Sequence, residues 1–259
     1  MENINMVDLA FIVDTTGSMG SLISAAQLQM VALLTELSQA AQVHLQLGIV
    51  EYRDHPPQDQ MVYKVHEFTA DLKRAQQTIR SLSANGGGDS PEAVLDGIVA
   101  ACHDLAWRPH ARRLAVLVGD APPHGVGTPG DAFARGCPCG ETLESVTRLA
   151  EATRVNIYAL GLAKEVAASF STISMLTGGK FYASNNADKA IEHLAGLLKA
   201  EFGKLELDRS ILNAYLEQQE LSMEELATRV GSSRHEVSAA FLRLLSRDLI
   251  KAPATQFAD

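Results

Sequence analysis

Apolar and polar positions along the chain switch between two periods. Residues 6–13 form a near-continuous apolar run rich in β-branched and large side chains, the pattern of a strand buried on both faces. Residues 43–52 alternate and then become continuous, predicting a second strand. Residues 61–68 alternate cleanly, as a half-exposed edge strand does, and the short connection through Pro56-Pro57 implies a hairpin with antiparallel pairing. Residues 114–118, 155–161 and 180–183 supply three more strands. Between them the period becomes helical. Leu22, Ala26, Leu33, Leu34 and Leu37 predict a helix reaching about Ala41, and Asp71 opens another over 72–82. Further helices are expected from Pro91 (Ala93, Val94, Ile98, Val99 and Cys102 on one face), from Glu141 or Thr142 to Glu151, over 164–176, and over 187–205. Strand and helix alternate with one hairpin, so the fold class is α/β, a doubly wound and mostly parallel six-stranded sheet with one antiparallel edge strand.

Chemistry gathers where the strands end. Asp14-Thr15-Thr16-Gly17-Ser18-Met19 leaves the first strand with one carboxylate and two hydroxyls at alternate positions, Asp14, Thr16 and Ser18. Ligands bind outside the carboxyl ends of strands in open α/β sheets, and hard oxygen donors suit Mg²⁺ or Ca²⁺. A second stretch, Asn85-Gly86-Gly87-Gly88-Asp89-Ser90-Pro91-Glu92, is a glycine loop opening a helix, and a third ends the strand 114–118 in Gly119-Asp120.

On these three stretches residues 4–203 resemble a von Willebrand factor A domain, whose metal-ion-dependent adhesion site is written DxSxS, then a threonine, then an aspartate. Asp14, Thr16 and Ser18 match the first motif and Asp120 the last, while Asp89 stands at the glycine-loop position where threonine is usual. The resemblance implies strand order 3-2-1-4-5-6. It implies Mg²⁺ bound directly by the hydroxyls of Thr16 and Ser18 and largely through water by Asp14 and Asp120. One coordination position would stay open for a carboxylate of a partner protein. Asp89 departs from this pattern: its charge would strengthen metal binding, favour Ca²⁺, or fill the open position itself. Arg53, Asp54 and Glu92 lie on the same rim and are candidates for the partner surface. The plainer expectations are a turn-capping Asp54, a surface Arg53, and a solvated Glu92 favoured by the first turn of a helix.

The loop 121–140 holds four prolines, five glycines, and Cys137 and Cys139. Loops of this length in compact domains are uncommon and often functional. A zinc set of Cys137, Cys139 and His124, a pair of reduced thiols, and a transient disulfide are the readings open for it. The C-x-C spacing is not the usual C-x₂-C, and no second pair accompanies it. Nothing resembles a Gly-x-Ser-x-Gly elbow, a phosphate loop with its lysine, or His-Glu-x-x-His, so the chain is expected not to be an enzyme.

From residue 206 the pattern changes. Ile211, Leu212 and Leu216 suggest a first helix, Ser222-Met223-Glu224-Glu225 is a capping box, and Val237, Ala240, Phe241, Leu244 and Leu245 share a third helical face. Leu249-Ile250-Lys251 could begin a short strand. Residues 206–259 thus resemble a small all-α, winged-helix or helix-turn-helix module, after a first domain at 1–205. Arg234, His235, Arg243 and Arg247 on the third helix are the candidate DNA contacts. Yet residues 204–259 hold seven basic against nine acidic residues, a poor balance for phosphate binding.

Composition narrows the classes. A chain of 259 residues that is 46% hydrophobic and 20% charged reads as globular, and a net charge of −9 argues against affinity for nucleic acid or anionic membrane. Three cysteines make no disulfide framework, no apolar run reaches bilayer length, and no leader pattern opens the sequence. The expectation is a cytoplasmic, Mg²⁺- or Ca²⁺-binding interaction module with another protein as partner. The alternative is a DNA-associated regulator whose A domain senses that partner.

Overall fold

The apolar run near the start of the chain forms the central strand of the protein, whose computed structural model describes residues 2–40, 43–218 and 221–251. After a 3₁₀ turn, Glu2–Asn5, come β1 (Met6–Asp14), a second 3₁₀ turn (Gly17–Met19), α1 (Gly20–Ala40), β2 (His44–Tyr52), β3 (Tyr63–Thr69), α2 (Leu72–Ser81) and α3 (Val94–His103). Then follow β4 (Arg112–Gly119), α4 (Leu143–Ala152), β5 (Asn156–Gly161), α5 (Ala167–Leu176), β6 (Phe181–Ala183), α6 (Ala187–Glu217), α7 (Met223–Val230) and α8 (Arg234–Ser246). The strands lie in the order β3-β2-β1-β4-β5-β6. Only β3 runs antiparallel to its neighbour. This is the fold class and strand order expected from the sequence.

Alternation along β1 divides the core. Val7, Leu9, Phe11 and Val13 pack with Leu22, Ile79 and Leu198 on the face covered by α1, α2 and α6. Ala10 and Ile12 pack with Ile98, Val146 and Phe170 on the face covered by α3, α4 and α5. Asp8 breaks the run without breaking the strand. It is wholly buried at the amino end of the sheet, where Arg108 donates Nε to Oδ1 and its backbone N–H to Oδ2, both at 2.7 Å. Burial raises the Asp8 pKa, and the Arg108 contacts oppose that rise.

Three boundaries differ from the expected ones. Helix α3 begins at Val94 and not at Pro91, because residues 92 and 93 are held by neighbouring loops: Glu92 N–H donates to Pro122 O at 3.0 Å and Ala93 N–H to Arg53 O at 2.7 Å. Helix α5 starts at Ala167, three residues later than expected. Helix α6 does not stop near Leu205 but runs on to Glu217, so the expected first helix of the C-terminal module is its continuation. Ala41, where α1 was expected to end, lies outside the described residues.

The second half of α6 joins α7 and α8 in a third apolar cluster built on Ile211, Leu226, Val237, Phe241 and Leu244, with Ile4 from the 3₁₀ turn. Ser222 and Ser233 both form capping boxes, with Glu225 and Glu236. No strand occurs over 249–251, where Ile250 is buried in the cluster. Arg247 fastens this end to the sheet. It is 4% exposed and donates to the carbonyls of Asn3, Ile4 and His110 at 2.8–2.9 Å, while burial lowers its pKa to about 10.

Replacing Arg247 by Ala leaves three inward carbonyls without their donor and opens a void. Arg247→Ala is expected to destabilise the protein by about 2–4 kcal/mol in denaturant unfolding, against under about 0.5 kcal/mol for Arg234→Ala on the exposed side of α8. Equal midpoints for the two variants would show that the anchor contributes nothing.

Candidate functional site

The site is assembled by three chain segments that meet at the carboxyl ends of β1 and β4. Pairing of Val13 with Val118 puts Asp14 beside the last residue of β4, so Asp120 follows on the neighbouring strand's exit. Asp14 is wholly buried. Its Oδ1 accepts from Thr16 N–H at 2.8 Å and Thr16 Oγ1–H at 2.6 Å, while its Oδ2 has no partner. Thr16 Oγ1 and Ser18 Oγ lie 3.3 Å apart, and Ser18 is open to solvent. The glycine loop docks on this turn through Gly17 N–H to Gly86 O, 3.2 Å, and Asn85 N–H to Thr15 O, 2.9 Å. Packing beneath is tight: a Cβ at Gly119 would lie 2.4 Å from the hydroxyl of Tyr52, which is fully buried between the two strands.

Glu92 is the acid that the glycine loop turns inward. It was expected as a solvated first-turn carboxylate, but it precedes α3 and is 4% exposed. A Cβ on Gly87, whose φ is +81°, would meet Glu92 Oε1 at 3.0 Å and the Thr16 side chain at 3.1 Å. Only a residue without a side chain lets the loop pass this close. Glu92 Oε2 is buried without a partner. Burial, followed by the charges of Asp14, Asp54, Asp89 and Asp120, pushes its pKa up to about 10. Burial raises Asp14 to about 7, with Asp120 adding to the rise against the two Thr16 hydrogen bonds. Asp14, Asp120 and Glu92, together with the hydroxyls of Thr16 and Ser18, make an all-oxygen set with two orphaned buried carboxylate oxygens. That is the chemistry of a hard divalent cation.

Asp89 lies near enough for its charge to act on Glu92, and its Oδ1 is buried without a partner. Its Oδ2 accepts from Ala132 N–H at 2.8 Å, and a carboxylate oxygen lies within 4.8 Å of ligand atoms of His124 and Asp131. Asp54 is neither a surface cap nor an exposed rim group. It is wholly buried, its Oδ1 accepting from His55 N–H at 2.6 Å and sharing a 2.8 Å hydrogen bond with His124 Nε2. His124 Nδ1 lies 2.9 Å from Asp131 Oδ1. Burial would lower the His124 pKa, but its hydrogen bonds and charge contacts with Asp54 and Asp131 outweigh this and raise it. The zinc set of Cys137, Cys139 and His124, one of the readings open for this loop, is not brought together: His124 is held by these two aspartates, whereas Cys137 lies beside His55 and Asp96. Arg53 braces the rim, with Nε donating to Thr15 Oγ1 at 3.2 Å and a guanidinium nitrogen 4.0 Å from Asp59, which accepts from Gly87 N–H at 3.1 Å. His55, Asp59, Asp96 and Asp131 were not singled out from the sequence, since each lies in an irregular segment or among apolar helix residues.

Of the candidate DNA contacts, Arg243 forms a two-pronged pair with Asp208, which is 1% exposed, at 2.5–3.2 Å. Arg234 and His235 are exposed beside Glu236.

Residues 8–117 match the family model described as von Willebrand factor A domain. Two relatives are similar over part of the chain: a putative ariadne-like RING finger protein of Acanthamoeba polyphaga mimivirus, 34% identical over 137 residues, and an alpha-protein kinase of Dictyostelium discoideum, 28% identical over 155. The matches cover 52% and 59% of this chain but only 13% and 24% of those proteins. Among solved structures, proximal thread matrix protein 1 from the mussel byssus, with a zinc-occupied MIDAS motif, is similar at a TM-score of 0.59 and 14% identity, covering 76% of this chain and 46% of that one. The pilus adhesin SpaC from Lactobacillus rhamnosus GG is similar at 0.54 and 14%, covering 78% and 30%. The strand order and the loops that converge at the ends of β1 and β4 agree with the match of residues 8–117 to the von Willebrand factor A domain model.

Proposed function

We propose that the chain is a non-catalytic, metal-dependent protein-interaction module that takes Mg²⁺ or Ca²⁺ at the loops carrying Asp14, Thr16, Ser18, Glu92 and Asp120. The observation that carries this reading is the pair of buried, unpartnered carboxylate oxygens on Asp14 and Glu92, beside two hydroxyls that lead out to solvent at Ser18. Leaving such groups buried and unpaired is costly, and a divalent cation compensates both. The mussel relative in fold holds zinc in its corresponding motif, which supports metal occupancy without deciding which ion this chain uses. When bound, the ion would act as a Lewis acid for an acidic side chain of a partner protein. Glu92 joins Asp89 as a candidate acid of the glycine loop, and each would bring a negative charge to the ion once its proton is displaced. Three carboxylates against one divalent cation favour tight metal binding and temper attraction for a further acid, and they suit Ca²⁺ as well as Mg²⁺.

A DNA-reading role for the C-terminal helices has less support. Arg243 is committed to Asp208 and Arg247 to backbone carbonyls, which leaves Arg234 and His235 next to the carboxylate of Glu236. Among the described residues no helix is long and apolar enough to cross a membrane. The cytoplasm is the proposed location, from the sparse cysteine content.

Proton and metal compete for the same oxygens. With folded pKa values of about 7 for Asp14 and about 10 for Glu92, both above their ordinary 3.8 and 4.5, the contribution of these two groups to the stability of the metal-free protein is fully present below pH 4. That contribution is lost as pH rises through 7 and on toward 10. Cation binding must expel these protons, so calorimetric Mg²⁺ affinity should rise by about tenfold per pH unit for each proton displaced between pH 6 and 8. An affinity flat across that range would mean the carboxylates are already ionised and the burial argument is wrong.

The interaction role is tested by affinity capture from a native lysate with Mg²⁺, with Ca²⁺ and with chelator, using wild type and Ser18→Ala as bait. Ser18 is exposed, so its loss should leave the fold intact. A protein retained by wild type only in the presence of metal, and lost with Ser18→Ala, is expected. Retention that is equal under all conditions would contradict docking at the ion.

A further inference from the structure

A second cluster of metal-ligating side chains lies behind the rim and takes no part in the site described above. Cys137 Sγ is 3.2 Å from His55 Nε2 and 3.1 Å from Asp96 Oδ2, and the latter two atoms are 3.0 Å apart. All three residues are less than 9% exposed. Cys139 Sγ is 2.9 Å from Cys137 Sγ and is also in hydrogen-bonding reach of Asp96. The four groups come from three separate places: the loop after β2, the first turn of α3, and the long loop between β4 and α4. Chain entropy opposes bringing a carboxylate, an imidazole and two thiols together, and burying the carboxylate without a strong counter-charge opposes it further.

We propose that Cys137, Cys139, His55 and Asp96 form a zinc site that clamps the long loop to α3 and to the loop after β2. Two cysteines, one histidine and one carboxylate are ligands that tetrahedral zinc accepts, and the thiolates select against Mg²⁺ and Ca²⁺. Bonds of about 2.3 Å to sulfur and about 2.0–2.1 Å to nitrogen or oxygen put the ligands of a tetrahedral zinc about 3.3–3.8 Å apart, so side-chain shifts of about half an ångström complete the shell.

The surroundings hold these ligands in place. The backbone N–H of His55 donates to Asp54 Oδ1, and Phe133 packs edge-on to the His55 ring at 5.7 Å between centroids. The N–H of Cys139 donates to Cys137 Sγ and that of Glu141 to Cys139 Sγ. Gly136 and Gly140, with φ of +135° and +81°, turn the chain on either side of Cys137-Pro138-Cys139. The clamped loop also carries Asp131, which holds His124, and Ala132, whose N–H holds Asp89. The zinc would thereby fix the border of the rim without contacting the oxygen-donor cation.

The test uses full-length protein purified without added chelator, with zinc measured by mass spectrometry and thiols titrated before and after treatment with a strong chelator. Wild type and Asp14→Ala should each retain one equivalent of zinc. Cys139→Ser, at an exposed position, and Cys137→Ser should weaken zinc by more than the roughly 10–100-fold that loss of an outer partner costs. Cobalt substitution should give the thiolate charge-transfer and intense visible bands of a tetrahedral site in wild type and Asp14→Ala, and neither band in Cys139→Ser. Zinc removal should speed proteolysis at Arg135. Zinc that disappears with Asp14→Ala and persists in Cys139→Ser would overturn the proposal, since the metal would then sit at the rim. A zinc-free chain that is two hydrogens lighter would overturn it too, showing a Cys137–Cys139 disulfide. Free, fully reactive thiols with no zinc would do the same.

Discussion

Like charges forced together in a water-poor pocket are the constraint on which the functional end of this protein depends. Asp14 and Asp120 arrive there because β1 and β4 are adjacent, parallel and buried on both faces, so their exits cannot diverge. Glu92 arrives because residues 91–93 are pinned between the loops after β2 and β4 before α3 can begin. Each carboxylate would be tolerable alone. Together, the charge of Asp120 adds to burial in raising Asp14, the charges of Asp14 and Asp120 add to burial in raising Glu92, and one oxygen each of Asp14 and Glu92 has no protein partner. The fold keeps them there at a cost that a bound cation removes, which is the physical content of calling this rim a metal site.

The remainder of the molecule stiffens that arrangement. The tight packing of Gly119 on Tyr52 leaves the strand exit no freedom, and Arg53 ties the first metal loop to the glycine loop through Thr15 and Asp59. The buried network of Asp54, His124 and Asp131 fastens the long loop from behind. At the opposite end of the sheet, the Asp8–Arg108 pair and Arg247 settle the amino ends of the strands and the C-terminal helices. The long helix α6 spans both regions, carrying Glu201 against Arg112 and Asp208 against Arg243.

The sheet was legible in the sequence because its signal is local: continuous apolar runs for inner strands, clean alternation for the edge, and helical spacing between. The positions of Asp14, Thr16, Ser18 and Asp120 were legible for the same reason, since strand exits can be read from where apolar runs stop. That Glu92 turns inward as well as Asp89 was not. Asp89 and Glu92 are three residues apart, and the direction each takes is decided by backbone bonds to Pro122, Arg53 and Ala132, all distant in sequence. The assumption that Pro91 opens the helix placed Glu92 on an exposed first turn. Asp96 and His55 were hidden for a related reason: one sits in an otherwise apolar helix face, the other in an irregular loop, and only Cys137 folding over both reveals them. The end of the helix expected over 187–205 was also misplaced by periodicity, because α6 changes its packing partners without changing its spacing.

The most direct test of the central claim is a crystal structure of the protein with Mn²⁺, read from anomalous difference density. Mn²⁺ replaces Mg²⁺ or Ca²⁺ at oxygen sites and marks its own position. A peak among Thr16 Oγ1, Ser18 Oγ, Asp14, Asp120 and Glu92, with Asp89 still bonded to Ala132, is the predicted result. A peak at Asp89, His124 and Asp131, or none at saturating Mn²⁺, would contradict it.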